Sequence, residues 1–196
     1  TLAGRGADQT IINGLNQNYD IYGVSTLIAL NGSANNIVVE GFKIVGAGGA
    51  GVNDSSVLLL GSATPVNIQY NHIVSGNGGF VIYTPGVRSN DIFQNNILEG
   101  NNSNQVFVIS HNGPGENDQI LNNTFTGTVA VTNVSDSGTI FTFGGRNSVI
   151  KRNAFNTTGT VLTELAVNFT PNIVTENNLD SLVLSGGNST QLNAEN

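Results

Sequence analysis

Ile68-Gln69-Tyr70-Asn71-His72-Ile73 sets out a short phrase, apolar-x-x-Asn-x-apolar, that the chain then repeats. It returns as Ile92-Phe93-Gln94-Asn95-Asn96-Ile97, Ile120-Leu121-Asn122-Asn123-Thr124-Phe125, Ile150-Lys151-Arg152-Asn153-Ala154-Phe155 and Val174-Thr175-Glu176-Asn177-Asn178-Leu179. An earlier copy, Val39-Glu40-Gly41-Phe42-Lys43-Ile44, keeps the apolar frame and carries Phe42 where the others carry Asn. The copies recur at about 24 to 30 residues, the period of a solenoid in which each unit buries its apolar face against the next.

Between the copies lie second apolar runs at 79–83, 105–109, 138–143 and 161–165, with the β-branched and aromatic content of half-buried strands. Turns rich in Gly, Asn and Pro separate them, among them Asn77-Gly78-Gly79, Thr84-Pro85-Gly86 and Asn112-Gly113-Pro114-Gly115. No stretch shows a 3.6-residue period with caps, so helices are not expected. A repeat of two or three short strands stacks so that each strand pairs in parallel with its equivalent, about 4.8 Å away. Ile68, Ile73, Ile92, Ile97, Ile120, Phe125, Ile150 and Phe155 are then expected to point inward in apolar columns. Asn71, Asn95, Asn123, Asn153 and Asn177 are expected to form a ladder, because stacked carboxamides pair along the axis and Asn tolerates a left-handed bend.

These residues resemble the right-handed parallel β-helix of the pectin-lyase-like superfamily over nearly the whole chain. The opening Thr1-Leu2-Ala3-Gly4-Arg5-Gly6-Ala7-Asp8-Gln9-Thr10-Ile11-Ile12-Asn13-Gly14 is similar to an early turn of such proteins. The fold class expected is all-β, a right-handed parallel β-helix of about six or seven coils, in one domain spanning 1–196. The resemblance implies enzymes acting on polysaccharides with carboxylates, Arg or Lys and sometimes calcium. It also implies tailspikes and adhesins, and fold does not choose among these. The hydrolase signatures Asn-Thr-Asp, Asp-Asp, Gly-His-Gly and Arg-Ile-Lys are absent from the sequence. So are the pectate-lyase Arg-x-Pro-x-x-Arg and the epimerase Asp-Pro-His-Asp.

Composition narrows the partners. The net charge is -7 with only six Lys plus Arg, and these are scattered. Phosphate recognition needs clustered cations, so nucleic acid and anionic membranes are poor partners. No apolar run approaches a membrane span, and no signal peptide is evident. The absence of Cys removes disulfides and thiolate chemistry. The absence of Met and Trp as well suits an exposed, secreted or cell-surface life. A chain beginning at Thr1 without Met reads as a processed product or a fragment of a longer helix.

Candidate chemistry is sparse. Aligning the copies puts Lys43 and His72 in one outward column and Glu40 and Gln69 in the column three residues earlier. Glu40, Lys43 and His72 thus compose a weak acid/base group, against the plainer alternative of a solvated polar face. Asp91, Glu99, Glu116 and Asp118 fall close in sequence. Glu116 and Asp118 are a weak calcium candidate, although their spacing matches no defined calcium loop. His111 stands alone at a strand end, and a lone His is more often structural. With no Trp, Tyr19, Tyr22, Tyr70 and Tyr83 are the available amphipathic aromatics for a glycan; Tyr70 is placed near Phe93 on a neighbouring coil. Glycosylation acceptor tripeptides begin at Asn31, Asn53, Asn101, Asn122, Asn133, Asn156, Asn168 and Asn188. So Asn-rich a chain gives nearly as many by chance.

Neither end carries an amphipathic capping helix. The expected role is therefore structural: a chain that stacks head to tail on copies of itself through Thr1 and Leu2 at one end and Val183 and Leu184 at the other. The result would be a filament or an adhesin stalk. The alternative is a polysaccharide lyase, hydrolase or glycan-binding module.

Overall fold

Equivalent strands of successive repeats lie side by side, and the strands sort into three sheets. The computed structural model describes residues 1–14, 19–21, 24–30, 36–46, 55–60, 65–77, 80–84, 89–103, 107–109, 116–129, 139–143, 147–157, 160–164, 172–178, 182–184 and 190–192. Among them the architecture is all-β, with no helix.

The first sheet runs Leu2–Ala3, Ile37–Glu40, Val66–Gln69, Ile92–Gln94, Gln119–Leu121, Val149–Lys151, Asn172–Thr175 and Thr190–Leu192, every neighbouring pair parallel. The second has six parallel strands: Ile11–Asn13, Lys43–Val45, His72–Asn77, Ile97–Ser103, Thr124–Val129 and Ala154–Thr157. The third holds Val24–Leu30, Ser55–Leu60, Phe80–Thr84, Phe107–Ile109, Thr139–Phe143, Thr160–Glu164 and Leu182–Leu184 in parallel. At its edge the strand Tyr19–Ile21 folds back antiparallel on Val24–Leu30. The chain visits the first, second and third sheets in turn and then returns to the first. The second apolar runs expected from the sequence are the third-sheet strands, with bounds shifted by a residue or two. The quoted Gly, Asn and Pro turns lie mostly outside the described residues.

Strand alternation turns every second residue inward, and one continuous apolar column runs through each of the first two sheets. In the first sheet the inward column is Leu2, Val39, Ile68, Phe93, Ile120, Ile150 and Val174. In the second it is Ile12, Ile44, Ile73, Leu98, Phe125 and Phe155. Val39, Ile44, Ile68, Ile73, Phe93, Leu98, Ile120 and Phe125 are fully buried. The Phe125 and Phe155 rings stack at 4.6 Å with 6° between their planes. Burying one such side chain contributes about 1.5–3 kcal/mol, so these columns are the main term holding the levels together.

Two inward assignments made from sequence are corrected. Ile97 is 43% exposed and Ile92 only half-buried, while Phe93 and Leu98 point into the core. Both Ile92-x-x-Asn95-x-Ile97 and Phe93-x-x-Asn96-x-Leu98 satisfy the repeated phrase. Strand register selects the second, because Phe93 faces Ile68 and Ile120 across the sheet.

Candidate functional site

The turn between the first and second sheets is the most regular feature of the molecule. Its first residue is left-handed at six successive levels: Gly41, Tyr70, Asn95, Asn122, Arg152 and Glu176 all have φ between 53° and 75°. Such a residue turns the chain sharply and leaves its side chain outside. The next residue, Phe42, Asn71, Asn96, Asn123, Asn153 or Asn177, is thereby driven inward and is buried. The one-residue shift in the second copy therefore moves Asn95 out of the expected ladder. Asn95 is the bend residue, and Asn96 is the buried one.

The buried carboxamides are joined from level to level. Asn71 Nδ2 donates to Asn96 Oδ1 (3.2 Å), Asn96 Nδ2 to Asn123 Oδ1 (3.0 Å), Asn123 Nδ2 to Asn153 Oδ1 (3.1 Å) and Asn153 Nδ2 to Asn177 Oδ1 (2.9 Å). Each of these oxygens also accepts the backbone N–H of the preceding Asn. The second hydrogen of each Nδ2 goes to a main-chain carbonyl: Val39, Ile68, Phe93 and Ile120 in turn. All four hydrogen-bonding valences of Asn96, Asn123 and Asn153 are thus used, which is what permits an amide in this core. Phe42 ends the run on one side, its N–H donating to Asn71 Oδ1. Asn177, the last member among the described residues, directs its Nδ2 to Ile150 O and to Thr175 O of its own level.

A second polar column lies at the opposite end of the first-sheet strands, and sequence reasoning missed it. Asn90, Asn117 and Asn147 are left-handed, and each turns the following residue inward. Asp91, Asp118 and Ser148 are consequently buried. Asp91 Oδ1 accepts the N–H of Val66, Asp118 Oδ1 that of Asp91, and Ser148 Oγ that of Asp118. Outside, Asn147 Nδ2 donates to Asn117 Oδ1 at 2.6 Å and Asn117 Nδ2 to Asn90 Oδ1 at 3.4 Å. The signal was available as Asn90-Asp91, Asn117-Asp118 and Asn147-Ser148, each pair standing at one fixed distance before a buried Asn.

The weak acid/base group divides across the bend. Glu40 belongs to the first sheet, in register with Gln69; Lys43 and His72 are register partners in the second. Gln94 Nε2 donates to Gln69 Oε1 (2.7 Å) and Gln69 Nε2 to Glu40 Oε2 (2.6 Å), so the Glu40 carboxylate terminates a surface run of amides. The carboxylate at His72 is Glu99, whose Oε2 lies 2.8 Å from Nε2. Strand register pairs His72 with Ile97, and the side chain instead reaches diagonally to the next outward residue.

Asp118 is fully buried rather than on a loop surface, because Asn117 turns it inward. Glu116 hands its N–H to Ser89 Oγ and its carbonyl to the N–H of Asn90. Among the described residues no three His, Asp or Glu side chains gather to hold a metal ion. A charge cluster lies elsewhere: Glu176 takes Lys151 Nζ at 2.8 Å and Arg152 Nε at 2.6 Å. Those two bonds, Lys151 foremost, hold the Glu176 carboxyl below its ordinary pKa.

Tyr70 is 58% exposed at the bend, whereas Phe93 is fully buried, so the two do not form an aromatic platform. Asn122 and Asn156 are exposed acceptor positions, and Asn101 lies in the strand Ile97–Ser103. His111, Tyr22 and the acceptor positions Asn31, Asn53, Asn133, Asn168 and Asn188 lie outside the described residues. Thr1 is exposed, and Leu2, at an inward position of an edge strand, is 46% exposed. Val183 and Leu184 pair with Thr163 and Glu164 at the other edge of the third sheet. No helix among the described residues is long and apolar enough to cross a membrane. No family model, curated protein or solved structure matches the chain.

Proposed function

We propose that the protein is a structural component, a right-handed parallel β-helix with a stacked Asn ladder that associates end to end with copies of itself. Secretion or surface display is part of this reading, as filament subunit or adhesin stalk. Right-handedness follows from the strong preference of parallel crossover connections for that hand. The observation that carries the reading is the first sheet. Among the described residues its outermost strands, Leu2–Ala3 and Thr190–Leu192, both lie parallel to their neighbours, and inward Leu2 is half exposed. Parallel edges with apolar residues beneath invite strand addition. The polar side chains described on the outer faces mostly serve neighbouring levels and do not converge on one point, which favours a scaffold over a catalyst.

Eight strands at about 4.8 Å give a rise of about 38 Å per copy. Electron microscopy at micromolar concentration should show filaments with that axial repeat. Since every copy carries a net charge of -7, added salt should favour assembly by screening repulsion. Discrete particles at all salt concentrations would refute the reading.

A second reading, a glycan-binding or glycan-processing face, rests on exposed Tyr70 beside the Glu40–Gln69–Gln94 run and the His72–Glu99 pair. Binding or turnover of an acidic or neutral polysaccharide, lost in Tyr70→Ala, would favour it.

A further inference from the structure

We infer that Tyr70 is a ligand-contacting residue, its exposed ring seating one unit of a neutral oligosaccharide whose equatorial substitution leaves a flat face of C–H bonds. This rests on the glycan-binding reading above and supplies its contact residue and sugar class.

The bend between the first and second sheets does not require a tyrosine. Gly41, Asn95 and Asn122 take the left-handed conformation there at little cost. A bulky side chain at such φ is held against its own preference, and strain of this kind gathers at functional positions. Three bulky residues occupy the bend: Tyr70, Arg152 and Glu176. Arg152 and Glu176 are joined to each other, Nε to Oε2, at 2.6 Å. Tyr70 donates its main-chain N–H to Gln94 O at 3.2 Å, and its side chain makes no hydrogen bond or ring contact with a described residue. More than half of it is exposed. An Asn in its place would reproduce the Asn–Asn bend of the next two levels, so the fold has a less strained solution that this level does not use.

The surroundings define the ligand. On the first-sheet side Glu40, Gln69 and Gln94 stand in register, and their side-chain bonds fix a line of amides along the axis. Asn67 Nδ2 steadies Gln69 Oε1 from the side at 3.2 Å. On the second-sheet side His72 is held by Glu99 and stands in register with Lys43. Glu40 and Glu99 are thus interspersed with Lys43 and His72, and no field of one sign gathers to draw a sugar acid. Immobilised amides beside a ring match a sugar with hydroxyls at its rim and C–H bonds on its face. The amides exchange hydrogen bonds with the hydroxyls, and the electron-rich ring face receives the C–H bonds. One ring is a small contact, so affinity requires several sugar units laid along the amide line.

The chain has four Tyr and no Trp, so tyrosine ring signals in NMR, with that of Tyr70 identified by its loss in Tyr70→Phe, report the contact directly. Cellohexaose or xylohexaose should shift the Tyr70 signals, and oligogalacturonate of the same length should bind more weakly. Tyr70→Asn should unfold at no lower a urea concentration than the unmodified chain, yet bind about tenfold or more weakly. Tyr70→Phe keeps the ring face and should bind nearly as well as the unmodified chain. Equal binding by Tyr70→Asn would overturn the assignment of Tyr70 and leave the glycan reading standing. Earlier unfolding of Tyr70→Asn would make the ring a support of the fold and overturn the assignment too. Preference for oligogalacturonate would overturn the neutral class. Failure of all three sugars to bind the unmodified chain would overturn this inference together with the glycan reading.

Discussion

Replacing Asn96 by Ala should damage the protein far more than replacing its neighbour Asn95 by Gly, although the repeated phrase permits either residue as the ladder member. Asn96→Ala removes four bonds: two accepted from Asn71 at 3.0 and 3.2 Å, and two donated to Ile68 O and Asn123 Oδ1 at 2.8 and 3.0 Å. Each is worth about 1 kcal/mol net, and a buried partner left alone costs about 1–3 kcal/mol. Asn123 Oδ1 keeps the N–H of Asn96, and Asn71 Nδ2 keeps Val39 O, which limits the loss. A destabilisation of about 3–5 kcal/mol follows, a large share of the roughly 5–15 kcal/mol that holds an ordinary domain folded. Asn95 offers only its backbone N–H, to Leu121 O at 3.1 Å, and has φ of 56°. Gly adopts that φ freely, so Asn95→Gly should cost less than about 1 kcal/mol. Urea unfolding followed by far-ultraviolet circular dichroism compares the two, with hydrogen exchange at 93–98 as a local check. Equal midpoints, or a lower one for Asn95→Gly, would refute the assignment of the buried column.

Gly127 has φ of 97°, and a Cβ there would collide with the carbonyl oxygen of Gly100. Gly127→Ala should therefore cost at least about 2 kcal/mol by thermal unfolding, since backbone has to move. Phe125→Ala opens a cavity against Phe155 in a fully buried column, and a loss of about 3–5 kcal/mol is expected from denaturant titration. The depressed pKa of Glu176 means its ion pairs contribute fully above the unfolded value and are lost as pH falls through the lower folded one. Carboxyl NMR should place its midpoint below the ordinary 4.5, and both Lys151→Ala and Arg152→Ala should raise it.

The period and apolar frame were legible because a solenoid writes the same physical requirement into every repeat. Ile68, Ile73, Ile120, Phe125 and Ile150 could be placed inward from spacing alone. Asn95 and Asn96 could not be told apart locally, since two overlapping frames satisfy one phrase. Only the preceding Asn90-Asp91 pair, spaced like Asn117-Asp118, selects between them. The His72–Glu99 contact was hidden by its diagonal geometry, because aligning columns predicts neighbours straight across and long side chains reach further. The reversed strand Tyr19–Ile21 departs from the period altogether. Its only sequence trace is the two-residue interval between Ile21 and Val24, too brief to outweigh the repeat.

The two inward polar columns stand a fixed distance apart. Asp91 to Asn96, Asp118 to Asn123 and Ser148 to Asn153 is the same step each time, while the return from Asn123 to Ser148 is longer than that from Asn96 to Asp118. Axial rise is set by strand-to-strand hydrogen bonding and is indifferent to how many residues the return path spends. The molecule thus separates its pitch from its girth: one arc is a ruler of constant length, and residues can be gained or lost on the other without moving any level along the axis.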